Sequence, residues 1–418
     1  MISKLVFRAM VLGAVACAFS ATGFAADVQN GHGQGIADST TEVNDAKHEA
    51  IRSNWMDRTD IVVGVGMKDS KETHSQHHYV GESSMRHDDL NTVTSKNSKS
   101  TEINKLYIET LQPITHYDEN AKSVVFVQGR IGRSGEKISS YKLDSYLEPA
   151  RPAGTFITHD KQTDTKESLG MNANIGIGYR RLSKGEHAYV GVNAFYDHVF
   201  KGGYKRVSGG VEYVAGLNEF HANLYRNLGT EDRKYIGLHG RSVVLGDPAG
   251  LYPYGMDPDQ SLYNYGIAAY ENHWMLSEKV AASGFDVGYS RTFKNARWAR
   301  VYADYYNWRG REAVRVGYYK LNKRDAIKGF NVGAEFHITP HLTLDAGYKT
   351  ASHHLSGPYA TLKYTIGTSK FAWRGGKHSE SVITTARSKM LDKVHRSDMV
   401  VQETVENIYE QQFVDVGL

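Results

Sequence analysis

"SLGMNANIGIGYRRLSKGEHAYVGVNAFYDHVF", residues 168–200, holds two alternating segments joined by the polar run Ser183–Glu186. In the first, Leu169, Met171, Ala173, Ile175, Ile177 and Tyr179 share one face, and Gly170, Asn172, Asn174, Gly176, Gly178 and Arg180 share the other. In the second, Ala188, Val190, Val192, Ala194 and Tyr196 alternate with Tyr189, Gly191, Asn193, Phe195 and Asp197. A period of two marks a β-strand. The polar faces are too long and too rich in glycine for strands that merely back onto a soluble core. An apolar face turned to lipid and a polar face turned to an aqueous lumen accounts for both.

The pattern recurs over 58–68, 102–112, 122–132, 168–181, 187–198, 205–215, 218–228, 283–293, 299–308, 329–339, 342–350 and 358–367. Each span is close to the roughly 9–11 residues that a tilted strand needs to cross a bilayer. Every second connection is short: "THYDENAK", "SKGE", "AGLN", "KNAR" and "TPH". The others are mostly long, over 69–101, 133–167, 229–282 and 309–328. Outer-membrane barrels have short periplasmic turns and long external loops. In "GFNVGAEFHIT" (329–339), Phe330, Val332, Ala334, Phe336 and Ile338 oppose Asn331, Gly333, Glu335, His337 and Thr339, repeating the two-faced pattern. Tyr179, Tyr196, Tyr213, Tyr289, Tyr305, Tyr348 and Tyr364 fall near strand ends, where an aromatic girdle belongs. The fold class is therefore all-β membrane: an antiparallel transmembrane β-barrel of about twelve strands.

Beyond the N-terminus no apolar run approaches the roughly 20 residues of a membrane helix. The formal charge of +4 gives no reason to expect a nucleic-acid partner. Residues 1–25 read as a signal peptide: Lys4 and Arg8, then "AMVLGAVACAFSA", then a Gly23-Phe24-Ala25 cleavage site. The only cysteine, Cys17, lies within it, so the exported chain has no disulfide to form. Residues 26–54 read as a polar periplasmic segment and 55–367 as the barrel. Residues 368–418 follow the last strand, with Val382, Ala386, Met390 and Val394 at roughly helical spacing.

Chemistry is sparse. His74, His77 and His78, and the His353-His354 pair, read as solvated polar loops, since nothing fixes them as a metal site demands. No motif such as G-x-S-x-G marks a Ser/His/Asp set, Asp197-His198 is at most half of a catalytic dyad and is set aside, and "DPDQS" (257–261) lacks the frame of a calcium loop. No enzyme activity, metal or cofactor is expected. Arg180, Glu109, Glu212, Glu335 and Lys363 face the lumen and read as a charge network that holds a plug. Arg387 and Lys389 are its candidate cations, to be met by Glu212 or Glu335.

Several pieces resemble the translocator domain of inverse autotransporters, the intimin/invasin family. They are "GIGYRRL" (176–182), "GVNAFYDH" (191–198), "GGVEY" (209–213), "ASGFDV" (282–287), "DYY" (304–306), "TPHLTLDAGYK" (339–349) and "MLDKVHRSDMVVQE" (390–403). The resemblance implies a twelve-stranded barrel of a Gram-negative outer membrane, in contact with outer-membrane lipid and assembled by the barrel-assembly machinery and periplasmic chaperones. It implies a short helix and linker in the lumen: residues 368–418 become lumen helix and exit linker, with a plug helix over Ser381–Val394 and an extended exit strand over His395–Val405. It also implies type V secretion of a C-terminal segment to the cell surface. No peptidoglycan-binding module or tandem adhesive domain is recognised, so a stub is expected in place of a passenger. Two other readings stand beside it: an adhesin whose long external loops bind an unknown host or cell-surface ligand, and a solute pore. Loop parity predicts that an epitope tag in 229–282 is labelled on intact cells and one in "SKGE" is not; labelling of the "SKGE" tag would put the strand count before it off by one.

Overall fold

The computed structural model describes residues 55–80, 87–117, 120–143, 147–150, 155–229, 232–244, 265–316, 319–321, 323–352, 356–367 and 386–417. The expected signal peptide and periplasmic segment, the "DPDQS" run, the His353-His354 pair and residues 368–385 lie outside them.

A 3-10 turn, Trp55–Arg58, leads into a chain built almost wholly of strands. The first ten are β1 (Thr59–Val80), β2 (His87–Pro113), β3 (Ser123–Arg133), β4 (Glu136–Leu143), β5 (Leu147–Ala150), β6 (Thr155–Ser168), β7 (Met171–Leu182), β8 (Ala188–Val199), β9 (Lys205–Ala215) and β10 (Asn218–Asn227). The rest are β11 (Asp232–Val244), β12 (Tyr265–Ala281), β13 (Gly284–Phe293), β14 (Ala296–Trp308), β15 (Val314–Val316), β16 (Tyr319–Leu321), β17 (Ile327–His337), β18 (Leu342–Lys349), β19 (Gly357–Thr365) and β20 (Val400–Gly417). Twelve of them form an antiparallel barrel in the order β1-β2-β3-β7-β8-β9-β10-β13-β14-β17-β18-β19. β19 pairs back onto β1, from Asp60 opposite Thr365 to Gly66 opposite Tyr359, so the wall has no free edge. That closure is what hydrocarbon demands, because no water is present there to bond an open edge.

The faces are inverted relative to a soluble protein. On β7, Ile175 is 59% exposed and Arg180 is 0% exposed. Met171 and Ile177 also face out, whereas Asn172 and Asn174 are buried. Ile61, Val63 and Val65 on β1, Phe330 and Val332 on β17, and Leu362 on β19 extend the exposed apolar belt. Tyr196, Tyr213, Tyr348 and Tyr364 lie on the same outer face. Tyr289 is half-buried and donates to Asn218 Oδ1 at 2.8 Å.

Where they are described, the long connections carry paired strands. β1 and β2 run on together past the wall, paired from Met67 opposite Thr101 to Tyr79 opposite His87. The upper half of β1 also pairs with β6, from Asp69 opposite Lys166 to Val80 opposite Thr155. β4 and β6 pair within 133–167, and β11 and β12 within 229–282. His74 thus stands on a strand, while the side chains of His77 and His78 lie outside the described ones. "KDSKETHSQHH" (68–78) is polar at both parities, so it shows no two-faced period even though it is extended.

Ile175→Arg places a charge on the lipid face at mid-strand, and should cost about 2–4 kcal/mol. Urea unfolding of the refolded barrel, followed by its heat-modified gel mobility, measures this; an unchanged midpoint would contradict the assignment of the outer face.

Candidate functional site

The lumen is filled by the chain's own tail. At the end where the short turns lie, Ala386–Lys389 forms one 3-10 turn with all four residues buried. Arg387 donates to both carboxylate oxygens of Glu186, at 2.8 and 2.7 Å, and to the carbonyl of Ala121 at 2.8 Å. Both partners sit in short turns, after β7 and before β3. Glu186 has φ 57°, the left-handed region that a non-glycine residue enters at a cost of roughly 1–2 kcal/mol. Its grip on Arg387 offsets that cost. Lys389 Nζ lies 2.6 Å from Glu219 Oε1 at the start of β10. Ala386, Met390, Leu391 and Val394 pack into a collar that includes Phe126, Leu182, Tyr189 and Phe195.

Turn bonds carry on to Asp392, whose N–H donates to the Lys389 carbonyl at 3.1 Å; from Met390 onward, side chains of the wall bond the tail's backbone. Arg180 donates to the carbonyls of Met390 (2.9 Å) and Asp392 (2.6 Å). The Val394 N–H donates to Gln128 Oε1 at 2.8 Å. Asn223 donates to the His395 carbonyl at 3.0 Å, and Arg206 to those of Ser397 (2.9 Å) and Asp398 (3.2 Å). The Ser397 N–H donates to the Tyr225 hydroxyl at 2.8 Å. A single extended peptide has no backbone partners of its own, and buried amide groups must find some.

Charged side chains fix its position along the pore. Asp197 accepts from Arg206 of β9 at 2.8 Å and, through both oxygens, from Arg396 of the tail at 2.8 and 2.6 Å. Arg130 lies 2.6 Å from Asp398, and Lys393 bonds Asp60. Arg396 lies over the Phe195 ring at 4.4 Å and Arg180 over Phe126 at 4.5 Å, contacts that suit a desolvated guanidinium. Arg180, Gly191 and Glu212 stand in one row across β7, β8 and β9. A Cβ on Gly191 would lie 2.2 Å from Glu212 Oε1, so the glycine is what lets Glu212 reach across β8 to Arg180. The tail hugs the β3 and β7–β10 side, leaving a polar cavity of about 280 Å³ lined by Lys105, Arg300, Tyr302, Asp345 and Lys363 among others.

The sequence pattern that defines the inverse autotransporter beta-domain matches residues 146–398, more than half of the chain. This chain belongs to the inverse autotransporter family. It is an outer-membrane translocator barrel, and the family is not one of enzymes. No curated protein matches it. Among solved structures it is similar to a membrane protein from a study of in-meso crystallization, at 13% identity and TM-score 0.41, over 83% of this chain and 100% of that one. It is also similar to the translocator domain of the autotransporter NalP from Neisseria meningitidis, at 11% identity and TM-score 0.21, over 78% of this chain and 97% of that one. The beta domain of the Bordetella autotransporter BrkA is 8% identical, with TM-score 0.21, over 72% of this chain and 99% of that one.

Within this inverse autotransporter the sequence-derived candidates fall at distinct places. Arg180 and Glu212 form a two-bond pair at 2.6 and 3.0 Å. Glu335 is held by Arg300 at 2.8 Å, with Lys363 3.7 Å away. Arg387 and Lys389 face the wall but pair with Glu186 and Glu219 rather than with Glu212 or Glu335, whose oxygens Arg180 and Arg300 already occupy. The helix expected over Ser381–Val394 is, among the described residues, only the turn Ala386–Lys389. A helix through Val394 would bond the Val394 N–H to the Met390 carbonyl; here that N–H goes to Gln128 and that carbonyl to Arg180. Asp197, set aside as half of a catalytic dyad, is instead the anchor for Arg396. The pore reading needs residues 377–405 outside the lumen, and residues 386–399 are inside it. Asp197→Ala strands two buried guanidiniums and should destabilise the barrel by about 3–5 kcal/mol. The exposed Lys323–Asp325 pair is the control: Asp325→Ala should change stability by less than about 1 kcal/mol. Equal losses in urea unfolding would mean that the lumen pairs are not desolvated.

Proposed function

We propose that this translocator carries its own C-terminal segment through the barrel and anchors it at the cell surface. The direction of the thread supports this reading. Arg387 meets the short turns, Arg396 meets Asp197 near the far end of β8, and the Met399 carbonyl accepts from the Glu136 N–H beyond the end of β3. The tail thus runs from the end with short turns to the end with long connections, which in this reading face the periplasm and the outside respectively. Arg180, Glu212, Glu335, Lys363, Arg387 and Lys389 then belong to the machinery that holds the exported linker in place and seals the pore. Residues 1–25 direct the chain across the inner membrane, 26–54 remain in the periplasm, and periplasmic chaperones and the barrel-assembly machinery deliver 55–367 to the outer membrane.

The paired strands beyond the wall favour a second reading, in which the far parts of β1, β2, β6, β11 and β12 form a surface for adhesion. A small folded tag fused after Leu418 tests the first. Protease added to whole cells should remove it; a tag cut only after the outer membrane is permeabilised would contradict export.

A further inference from the structure

Where the tail leaves the lumen it enters a slot one strand wide. β4 pairs with β6 along one edge, and β12 pairs with β11 along one edge. Their other edges are both taken by β20, parallel to β4 over Val400–Glu406 and antiparallel to β12 over Val401–Gly417. Among the described residues β4 and β12 do not pair with each other, so the tail alone joins the two long connections into one sheet. Val400–Glu406 are buried on both faces, as in a central strand rather than a loosely docked one.

The register is pinned by charge. Glu403 is 4% exposed. Its oxygens lie 2.7 Å from Lys137 Nζ of β4 and 2.6 Å from Lys279 Nζ of β12. Ser139 donates to the same carboxylate at 3.3 Å. Lys279 stands directly opposite Glu403, and a slip of one residue would turn the carboxylate to the other face, away from both cations. On the neighbouring position of β12, Glu278 accepts from Arg311 at 2.8 Å and Arg324 at 3.1 Å, which ties the 309–326 connection to the same strand.

We infer that the space between β4 and β12 is a strand-acceptor site, whose ligand is an extended peptide with a carboxylate placed to meet both lysines. Its resident occupant is residues 400–417 of this chain. Its backbone bonds, to β4 over Val400–Glu406 and to β12 over Val401–Gly417, form only after it has cleared the barrel, so capture makes the exit directional: sliding back requires the whole paired strand to be stripped. The inference rests on the export reading, and a test in detergent separates the two, because it does not depend on which side of a membrane the slot faces.

The full chain, with a protease site inserted after Met399, is folded in detergent, cut, and offered a labelled peptide of residues 400–417. The native peptide should exchange into the slot saturably. The Glu403→Lys peptide should bind about tenfold weaker or worse, because like charges then face each other. Lys137→Glu with Lys279→Glu in the barrel should restore it. No uptake of the native peptide, or equal uptake of both, overturns the site. In the uncut chain, Thr404→Cys and Ser140→Cys, opposite each other in register, should form a disulfide, as the only native cysteine is Cys17. Adding Glu403→Lys should lower its yield several-fold; an unchanged yield overturns the register pin without recourse to the double variant.

Discussion

A backbone amide in hydrocarbon has no water to bond, and the whole molecule is arranged around that fact. In the wall it is met by closure, with β19 returning to β1. In the lumen the tail has no neighbouring strand, so arginine, asparagine, glutamine and tyrosine side chains bond its carbonyls and amides one by one. Beyond the wall, β20 is paired with β12 along its length and with β4 over Val400–Glu406. The same chain thus satisfies its backbone by three means within 32 residues, 386–417, and around them.

Charge follows from the same constraint. A guanidinium or carboxylate in the packed lumen is costly unless its whole hydrogen-bonding capacity is used. Arginine dominates because its planar fork bonds a carboxylate and a carbonyl together, as Arg180 does with Glu212 and Met390, and Arg206 with Asp197 and Ser397. The aromatic rings beneath Arg180 and Arg396 fill the space that hydration would otherwise take. These sets fix position along the pore as well as contributing stability, since Arg387, Lys389 and Arg396 each meet a different wall carboxylate.

The wall was legible in the sequence because its two environments differ so strongly. Ile175 beside Asn174, or Val332 beside Asn331, records lipid and lumen at alternate positions. The strand ends were nearly legible too: 205–215 and 218–228 stand against Lys205–Ala215 and Asn218–Asn227. The sheet beyond the wall was not, because strands with polar residues at both parities carry no periodic signal, as in 68–78. Nor were the partners of Arg387 and Lys389. Glu186 reads as an ordinary turn residue, and only the fold brings it within reach of residue 387. The spacing of Ala386, Met390 and Val394 suggested a helix, but it records contacts with one apolar collar that an extended chain also makes. The signals that were present and unused are Asp197 facing inward at the end of β8 and the cluster Lys393, Arg396 and Asp398 in the tail.

The central claim is that the tail occupies the pore and closes it. Single-channel conductance in planar bilayers tests this directly, with the full chain compared with one lacking residues 386–418. The account predicts almost no current through the full chain and stable open channels through the shortened one. Equal conductance from the two would contradict it.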